Sequence, residues 1–502
     1  MHSSYRILMI GALFLPRLLR FLHPDVQIED PNYIYGAFLI LRGFTPFIDF
    51  AQPNPPLLES LIALLYMLFG ISYRIPELLS ALAFFGQSIL IWRLGARWFN
   101  ERAGVLASLL FASHFLPFRY HLFERETFAT LALSGALLIL ARSRPTFRQS
   151  FFAGILSALA YACKQTALIP FAGMLAAMLI TPSLRRAAIR TALVFTGMLG
   201  IMTAVYSALY GVHYLRQTFW FHFIKGAVAP WQIKAFWTLG ALGFTAPVAL
   251  AAIAFLHSPS RSRIWIPFAL LSADLLFFWF ITGAFWPHYL LSTLVPVTLL
   301  AGYTLDAILS PTPTPLRKMI AAILIAIPFG AILSIDPGIL TGKGAVEHFG
   351  FQGTPREEVA ACSAFVRAHS DPSDLMTSDP FIALECRRIE VVNFKDNWGL
   401  VLWMNEMIER GEYRSALETM SRSTFGDIRL ASHRYWMPQV EQAFRDGRIG
   451  VIIPNYELPL SPEWMEAHGF ERGFRNTAYD VWIRRDAASE PADDAPDEPI
   501  RQ

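Results

Sequence analysis

Cysteine is nearly absent: three occur in 502 residues, at Cys163, Cys362 and Cys386. That excludes a fold framed by disulfides and any cysteine-rich zinc module. The spacing of Cys362 and Cys386 carries no information on whether they could be bridged. Charge is scarce as well, at 16% of residues against 54% hydrophobic, whereas soluble domains carry about a quarter charged. No glycine-rich phosphate loop or nucleotide fingerprint appears in the polar C-terminal part, and no internal repeat at solenoid period. A cleavable signal peptide is also missing. The first apolar stretch, residues 7–22, carries Arg17 and Arg20 and lacks a small-residue cleavage site, so it reads as a retained first helix.

The charge that is present is divided unevenly. Residues 1–334 hold 24 Lys/Arg and 11 Asp/Glu, a net +13, and residues 335–502 hold 18 and 28, a net −10. This split predicts a polytopic helical membrane region followed by an acidic external domain. Apolar runs of crossing length fall near 5–22, 76–95, 103–118, 126–142, 150–163, 166–182, 187–209, 236–257, 264–283, 287–308 and 317–334. A further run at 57–72 is ambiguous. If it does not cross, the connectors with Arg97/Arg102, Arg142/Arg144/Arg148, Arg185/Arg186/Arg190, Arg261/Arg263 and Arg317/Lys318 share one face, which the positive-inside rule makes cytoplasmic. The run is therefore read as interfacial, giving eleven spans, a cytoplasmic N-terminus and an external C-terminal domain. From residue 335 to 486 the pattern alternates: helix at 355–369, strand at 374–377, helix at 379–385, strand at 389–393, helix at 398–410, and strands at 449–453 and 479–484. That is a small α/β domain. The tail 487–502, acidic and proline-rich, is expected to be disordered.

The external connectors hold most of the chemistry. Four of the eleven acids of the membrane part, Asp25, Glu29, Asp30 and Asp49, lie in the first of them ahead of the 57–72 run. Along this loop Glu29-Asp30 is followed by Tyr33 and Tyr35, a helix-like stretch from Pro31 to Arg42, Gly43, Asp49-Phe50 and Pro55-Pro56-Leu57. This order resembles the first external loop of the GT-C superfamily, membrane glycosyltransferases that take sugars from polyprenyl-phosphate carriers, in its protein O-mannosyltransferase and aminoarabinose-transferase branch. Glu124-Arg125-Glu126, Gly154 through Lys164-Gln165-Thr166, and Trp286-Pro287-His288-Tyr289 resemble later motifs of bacterial members. Two departures stand out. Pro53 and Asn54 occupy the place of the acid and lysine that aminoarabinose-type members carry, and the acidic pair is Glu-Asp where the family shows Asp-Glu.

The resemblance implies a transferase active at the external face of a bacterial inner membrane, with inversion at the anomeric carbon. Its donor would be a polyprenyl-phosphate sugar and its acceptor a lipid, glycan or protein hydroxyl. Nucleic acid is not among the expected partners. Such transfer needs a carboxylate to deprotonate the acceptor and cations to stabilise the leaving phosphate. Glu29, Asp30 and Asp49 are the candidate catalytic acids, and Arg125, Lys164 and Arg42 the candidate phosphate-binding cations, with Arg119 a further one. Tyr33, Tyr35, Asn54, Glu126, His288 and Tyr289 are the candidate pocket residues. No residue is assigned to a metal, although a divalent cation is compatible with the family. Each has a plain competitor: helix-start acids favoured by the dipole, Asp49 as a turn cap, and Arg125 and Lys164 snorkelling to the interface. Asp274, inside an apolar span, is expensive there and is assigned to packing. The rival class is a transporter or flippase, which would show inverted repeats and charged broken helices near the midplane.

Overall fold

The computed structural model describes residues 3–26, 32–114, 120–220, 261–281, 287–309, 354–377, 380–391, 437–454 and 460–485, with some single positions between them. Nine of the expected spans correspond to helices: Ser3–Leu22, Arg74–Trp98, Glu101–Ala112, Arg125–Leu140, Phe147–Cys163, Leu168–Ile180, Arg185–Leu215, Arg261–Leu276 and Leu290–Leu309. The expected spans at 236–257 and 317–334 lie outside the described residues. Among those described, four helices are long and apolar enough to cross a bilayer: Arg74–Trp98, Arg185–Phe219, Ile264–Ile281 and Leu290–Leu309. Most of the others are shorter than the sequence pattern predicts. The 103–118 run, for example, yields a helix that stops at Ala112.

Small residues let these helices approach closely, the usual device where no hydrophobic effect drives helices together. A side chain at Gly95 would fall 2.5 Å from the Gly104 backbone, and one at Gly302 would fall 2.5 Å from the Ala103 carbonyl. The Arg74–Trp98, Glu101–Ala112 and Leu290–Leu309 helices are therefore locked together at these points. Gly211, with φ of 61°, kinks the long helix from Arg185, a backbone angle that glycine adopts at little cost.

Two short helices precede the second long one. Asn32–Leu41 is buried along most of its length. Leu57–Phe69 has 13 residues, about 20 Å at 1.5 Å per residue, too short for a hydrocarbon core of about 30 Å. It buries Leu58, Glu59, Ile62 and Tyr66 on one side and exposes Leu64, Met67, Leu68 and Phe69 on the other. One-sided burial of this kind suits a helix lying along the membrane surface.

The C-terminal segment forms a five-stranded mixed sheet. Its strands are β3 (Leu375–Thr377), β4 (Ile389–Glu390), β5 (Ile449–Ile452), β6 (Phe470–Arg475) and β7 (Asp480–Arg484), in the order β4-β3-β5-β7-β6. β3 pairs in parallel with β4 and β5, while β7 pairs antiparallel with β5 and β6. The sequence pattern did not reveal β6, whose residues Glu471, Arg472 and Gly473 are exposed, nor the short helix Pro462–Ala467. The expected helix at 398–410 lies outside the described residues, as does the tail 487–502. The helices Arg356–His369 and Pro380–Cys386 pack on each other and against the sheet, and Pro380–Cys386 also packs on the short helix Asn32–Leu41. All three cysteines are free and buried.

A joint fastens this segment to the first loop. β1 (Asp25–Val26) pairs antiparallel with β2 (Thr354–Pro355). Beside it, the Arg356 guanidinium donates to the His23 carbonyl at 2.7 Å, the Tyr73 hydroxyl at 2.9 Å and Glu77 Oε2 at 3.1 Å. Glu77 also receives Arg74 at 3.2 Å and faces His121 at 3.4 Å. Farther along, the Glu390 amide donates to the Tyr35 hydroxyl at 2.7 Å, and the Tyr73 amide to Glu385 at 2.9 Å.

Candidate active site

Three helix ends and one extended strand of loop converge beside this joint. The loop stretch 51–56 contains Pro53, Pro55 and Pro56, so its backbone offers few N–H donors and its carbonyls must find partners elsewhere. Gln165 Nε2 donates to the Pro53 carbonyl at 2.9 Å and Arg125 Nη1 to the Pro55 carbonyl at 2.9 Å. Gln217 accepts from the Gln52 amide at 2.9 Å and donates to the Phe47 carbonyl at 2.6 Å. The loop is thereby clamped from three distant parts of the chain.

Arg125 is fully buried. A buried guanidinium requires a counter-charge, and Glu59 supplies it in a direct ion pair while also accepting from Gln52 Nε2 at 2.7 Å. Arg125 further donates to the Cys163 carbonyl at 3.4 Å and lies 4.3 Å from the Tyr33 ring centroid. Asn54 is buried next to it, and its Oδ1 has no hydrogen-bond partner among the described residues.

On either side of Arg125 in sequence, Glu124 and Glu126 begin the Arg125–Leu140 helix, both about 3% exposed. Lys164, which ends the Phe147–Cys163 helix, places Nζ 3.1 Å from Glu126 Oε1. Burial works against its ammonium, but Glu126 outweighs that penalty and holds the Lys164 pKa above the ordinary lysine value. His288, in the short turn Pro287–Tyr289 ahead of the Leu290–Leu309 helix, lies 3.9 Å from Glu124 and 3.8 Å from Glu126. Tyr120 meets the His288 ring edge-on at 5.7 Å. Tyr289 lies 5.5 Å from Lys164 Nζ and stacks on Phe278. Lys164, Glu126, His288, Tyr289, Arg125, Tyr33 and Asn54, named from sequence, thus come together.

Other named residues do not join this group. Asp49 is exposed, and its carboxylate accepts from the Thr45 amide at 2.6 Å, capping a turn. Arg42 is also exposed, lies over the Phe38 ring and donates to the Arg387 carbonyl at 3.3 Å. Tyr35 faces the C-terminal sheet through Glu390. Glu29, Asp30 and Arg119 lie outside the described residues, as does Trp286. Asp274 is buried and accepts from the Thr293 hydroxyl at 3.5 Å, linking two membrane helices.

The sequence reading passed over Glu124, Glu59, Gln52 and Gln217. Of these only Glu124 carried a signal, its place in the acid-Arg-acid triplet. Ligand atoms of Glu124, Glu126 and His288 lie within 4.8 Å of one another. Two carboxylates and an imidazole are a donor set that suits a divalent cation, and the buried oxygens of Glu126 fit that use.

Residues 53–210 match the model of the dolichyl-phosphate-mannose-protein mannosyltransferase family. No curated protein sequence matches the chain. Among solved structures, ArnT from Cupriavidus metallidurans in the apo state is similar with a TM-score of 0.65 at 11% identity, over 98% of this chain and 99% of that one. The same protein bound to undecaprenyl phosphate gives 0.60 at 11% identity, over 98% and 100%. The oligosaccharyltransferase AglB from Archaeoglobus fulgidus, in complex with an inhibitory peptide and a dolichol-phosphate, gives 0.55 at 11% identity, over 90% of this chain and 70% of that one. Its fold is similar to that of these structures, and the family match over residues 53–210 is in keeping with the resemblance that the loop motifs carry. The matched segment begins at the Pro-Pro-Leu element and includes Arg125, Glu126 and Lys164.

Proposed function

We propose that this protein is an integral membrane glycosyltransferase that moves a sugar from a polyprenyl-phosphate donor to an acceptor hydroxyl at the external face of a bacterial inner membrane. The carrying observation is the buried group of Glu124, Glu126, Lys164 and His288 at helix ends, beside a clamped Pro-Pro-Leu loop, in a GT-C frame. On this reading residues 1–334 form the embedded catalytic part with eleven spans and a cytoplasmic N-terminus. Residues 335–486 form an external α/β domain, followed by the acidic tail. The product would be an envelope glycan, a glycolipid or a glycosylated protein.

The chemistry follows from the charges. Glu29 or Asp30, in the acidic pair of the loop, takes the proton from the acceptor hydroxyl. The acceptor oxygen bonds to the anomeric carbon as the bond to the phosphate oxygen breaks, and the lipid phosphate leaves with the electron pair, which inverts the centre. Lys164 meets the charge that develops on that phosphate and stands in for the lysine absent at Asn54. Arg125, paired with Glu59, holds the loop, and its remaining positive field faces the same region. Asp49 and Arg42 keep the loop in shape at its outer turn. Tyr33, Tyr289 and Asn54 line the sugar pocket. Glu124, Glu126 and His288 would hold a divalent cation, which would supply further positive charge against the phosphate.

The test is transfer from a defined polyprenyl-phosphate sugar by the purified chain in reconstituted membranes. Glu29→Gln and Asp30→Asn preserve charge-free shape, so expression and insertion persist while turnover falls on the order of 10²-fold or more for the base. If both variants and their combination transfer normally, the catalytic placement in this loop is wrong.

A further inference from the structure

The helices that carry the candidate site have a second meeting point at their opposite ends. The Arg125–Leu140 helix spans 16 residues, so its last turn lies about 24 Å from the site at 1.5 Å per residue. There it meets the last turn of Arg74–Trp98 and the first turn of Phe147–Cys163. Between them is a cavity of about 310 Å³ lined by Arg97, Arg142, Arg148, Gln149, Ile139 and Phe152, with Leu138 at its back. Three guanidinium groups from three separate stretches of chain surround it, and none of its lining residues is acidic.

The surrounding structure is fixed. Arg97 Nη1 donates to the Leu138 carbonyl at 2.6 Å, which ties two of the helices together. Thr146 and Gln149 form a reciprocal capping box at 2.8 and 3.3 Å, which defines where the helix bearing Arg148 begins. The same helix start exposes Phe147, Phe151 and Phe152 at 61%, 41% and 56%. Cations lining a cavity together with Phe152, with Phe147 and Phe151 exposed on the same helix, form an amphipathic receptor: the cavity takes an anion, and the aromatic face takes hydrocarbon.

We infer that this cavity binds the phosphodiester headgroup of an anionic phospholipid, with acyl chains against the Phe151–Phe152 face. Basic residues near an anionic leaflet each add favourable electrostatic attraction, and three converging on one cavity make that attraction site-specific. A free phosphate would satisfy the guanidiniums but make no use of Phe152, which lines the cavity beside them. The inference does not depend on the transferase reading, since none of these residues belongs to the candidate site.

The test uses the full-length protein in lipid nanodiscs, with bound lipid counted by native mass spectrometry and thermal stability measured alongside. With phosphatidylglycerol, the wild type retains lipid through delipidation and melts at a higher temperature than with phosphatidylcholine. The triple variant Arg97→Gln, Arg142→Gln, Arg148→Gln retains at least tenfold less and loses the melting difference. Arg144→Gln, in the same connector but outside the cavity, behaves as the wild type, which separates the site from general surface charge. Equal retention by the triple variant, or equal loss in Arg144→Gln, overturns the proposal. So does stabilisation by inorganic phosphate in phosphatidylcholine discs equal to that by phosphatidylglycerol, which would make the cavity a free-anion site.

Discussion

Glu77 and Glu126 are both buried carboxylates met by cations, yet their surroundings differ in sign. At the joint, one carboxylate receives Arg356 and Arg74 and faces His121. Positive groups are in excess there, and both Glu77 oxygens are used by Arg356. At the candidate site, Glu124, Glu126 and Glu59 face Lys164, Arg125 and one histidine that is charged only when protonated. Among the described residues, three carboxylates there face two permanent cations. An over-neutralised acid makes a closed structural contact, whereas an acid whose oxygens are not all engaged keeps capacity for something that arrives. Buried ionic groups carry a high desolvation cost either way, so the second arrangement is costly to maintain without a use.

This contrast can be broken most decisively at the site. Glu126→Gln leaves Lys164 and His288 without their shared buried partner and should lower transfer on the order of 10²-fold, more than its accompanying loss of stability accounts for. Lys164→Ala should produce a comparable loss that appears mainly in donor use, because in the proposed mechanism it meets the donor phosphate. Steady-state kinetics with varied donor would show the difference, and equal effects on donor and acceptor dependence would refute the assignment. The joint should respond in the opposite sense. Arg356→Ala strands Glu77 in a buried position, a change that costs about 3–5 kcal/mol when one partner of a buried pair is removed. Its melting temperature should fall by several degrees, and limited proteolysis should release the C-terminal segment, with Arg356→Lys intermediate.

A smaller effect should appear at Glu385. Burial pushes its carboxyl up to about 7 against the hydrogen bond from the Tyr73 amide and the nearby Arg367, Arg387 and Arg74. A carboxyl raised in the folded state is most stabilising while protonated. Stability is therefore full below the unfolded value near 4.5 and declines as pH rises through about 7. Melting curves between pH 5 and 8 should show this decline in the wild type and a flatter profile in Glu385→Gln.

Much of the framework was legible in the sequence because apolar periodicity and charge placement are local signals. Runs of hydrophobic residues located nine helices, and the shortness of Leu57–Phe69 agrees with the interfacial role inferred from arginine placement. The motif at Lys164 and the one at His288-Tyr289 pointed to residues that do meet Glu126. What escaped were contacts across large sequence distance. Glu59 read as a polar interruption in an apolar helix, and only the fold shows it facing Arg125. Gln52, Gln165 and Gln217 have no individual signature, since a glutamine acquires a role only from the carbonyl it happens to face. Arg42 and Tyr35 were grouped with the site because they neighbour its motifs in sequence, but they lie against the C-terminal segment. Strand β6 was missed because a half-exposed edge of alternating charge does not look like a buried strand.

The joint also imposes an order on how the molecule is made. Arg356 and His23, which it bonds, are separated by 333 residues. At translation rates of about 5–20 residues per second, the first loop waits from roughly seventeen seconds to over a minute before its partner exists. During that interval the loop that carries the acidic pair exists without β2 or Arg356 to fasten it. Contacts so distant in sequence form late because chain closure must precede them. Fastening of the first loop therefore waits for synthesis of the C-terminal segment. A nonsense mutation between residues 310 and 353 would leave the first loop unfastened even though every proposed catalytic residue had already been synthesised.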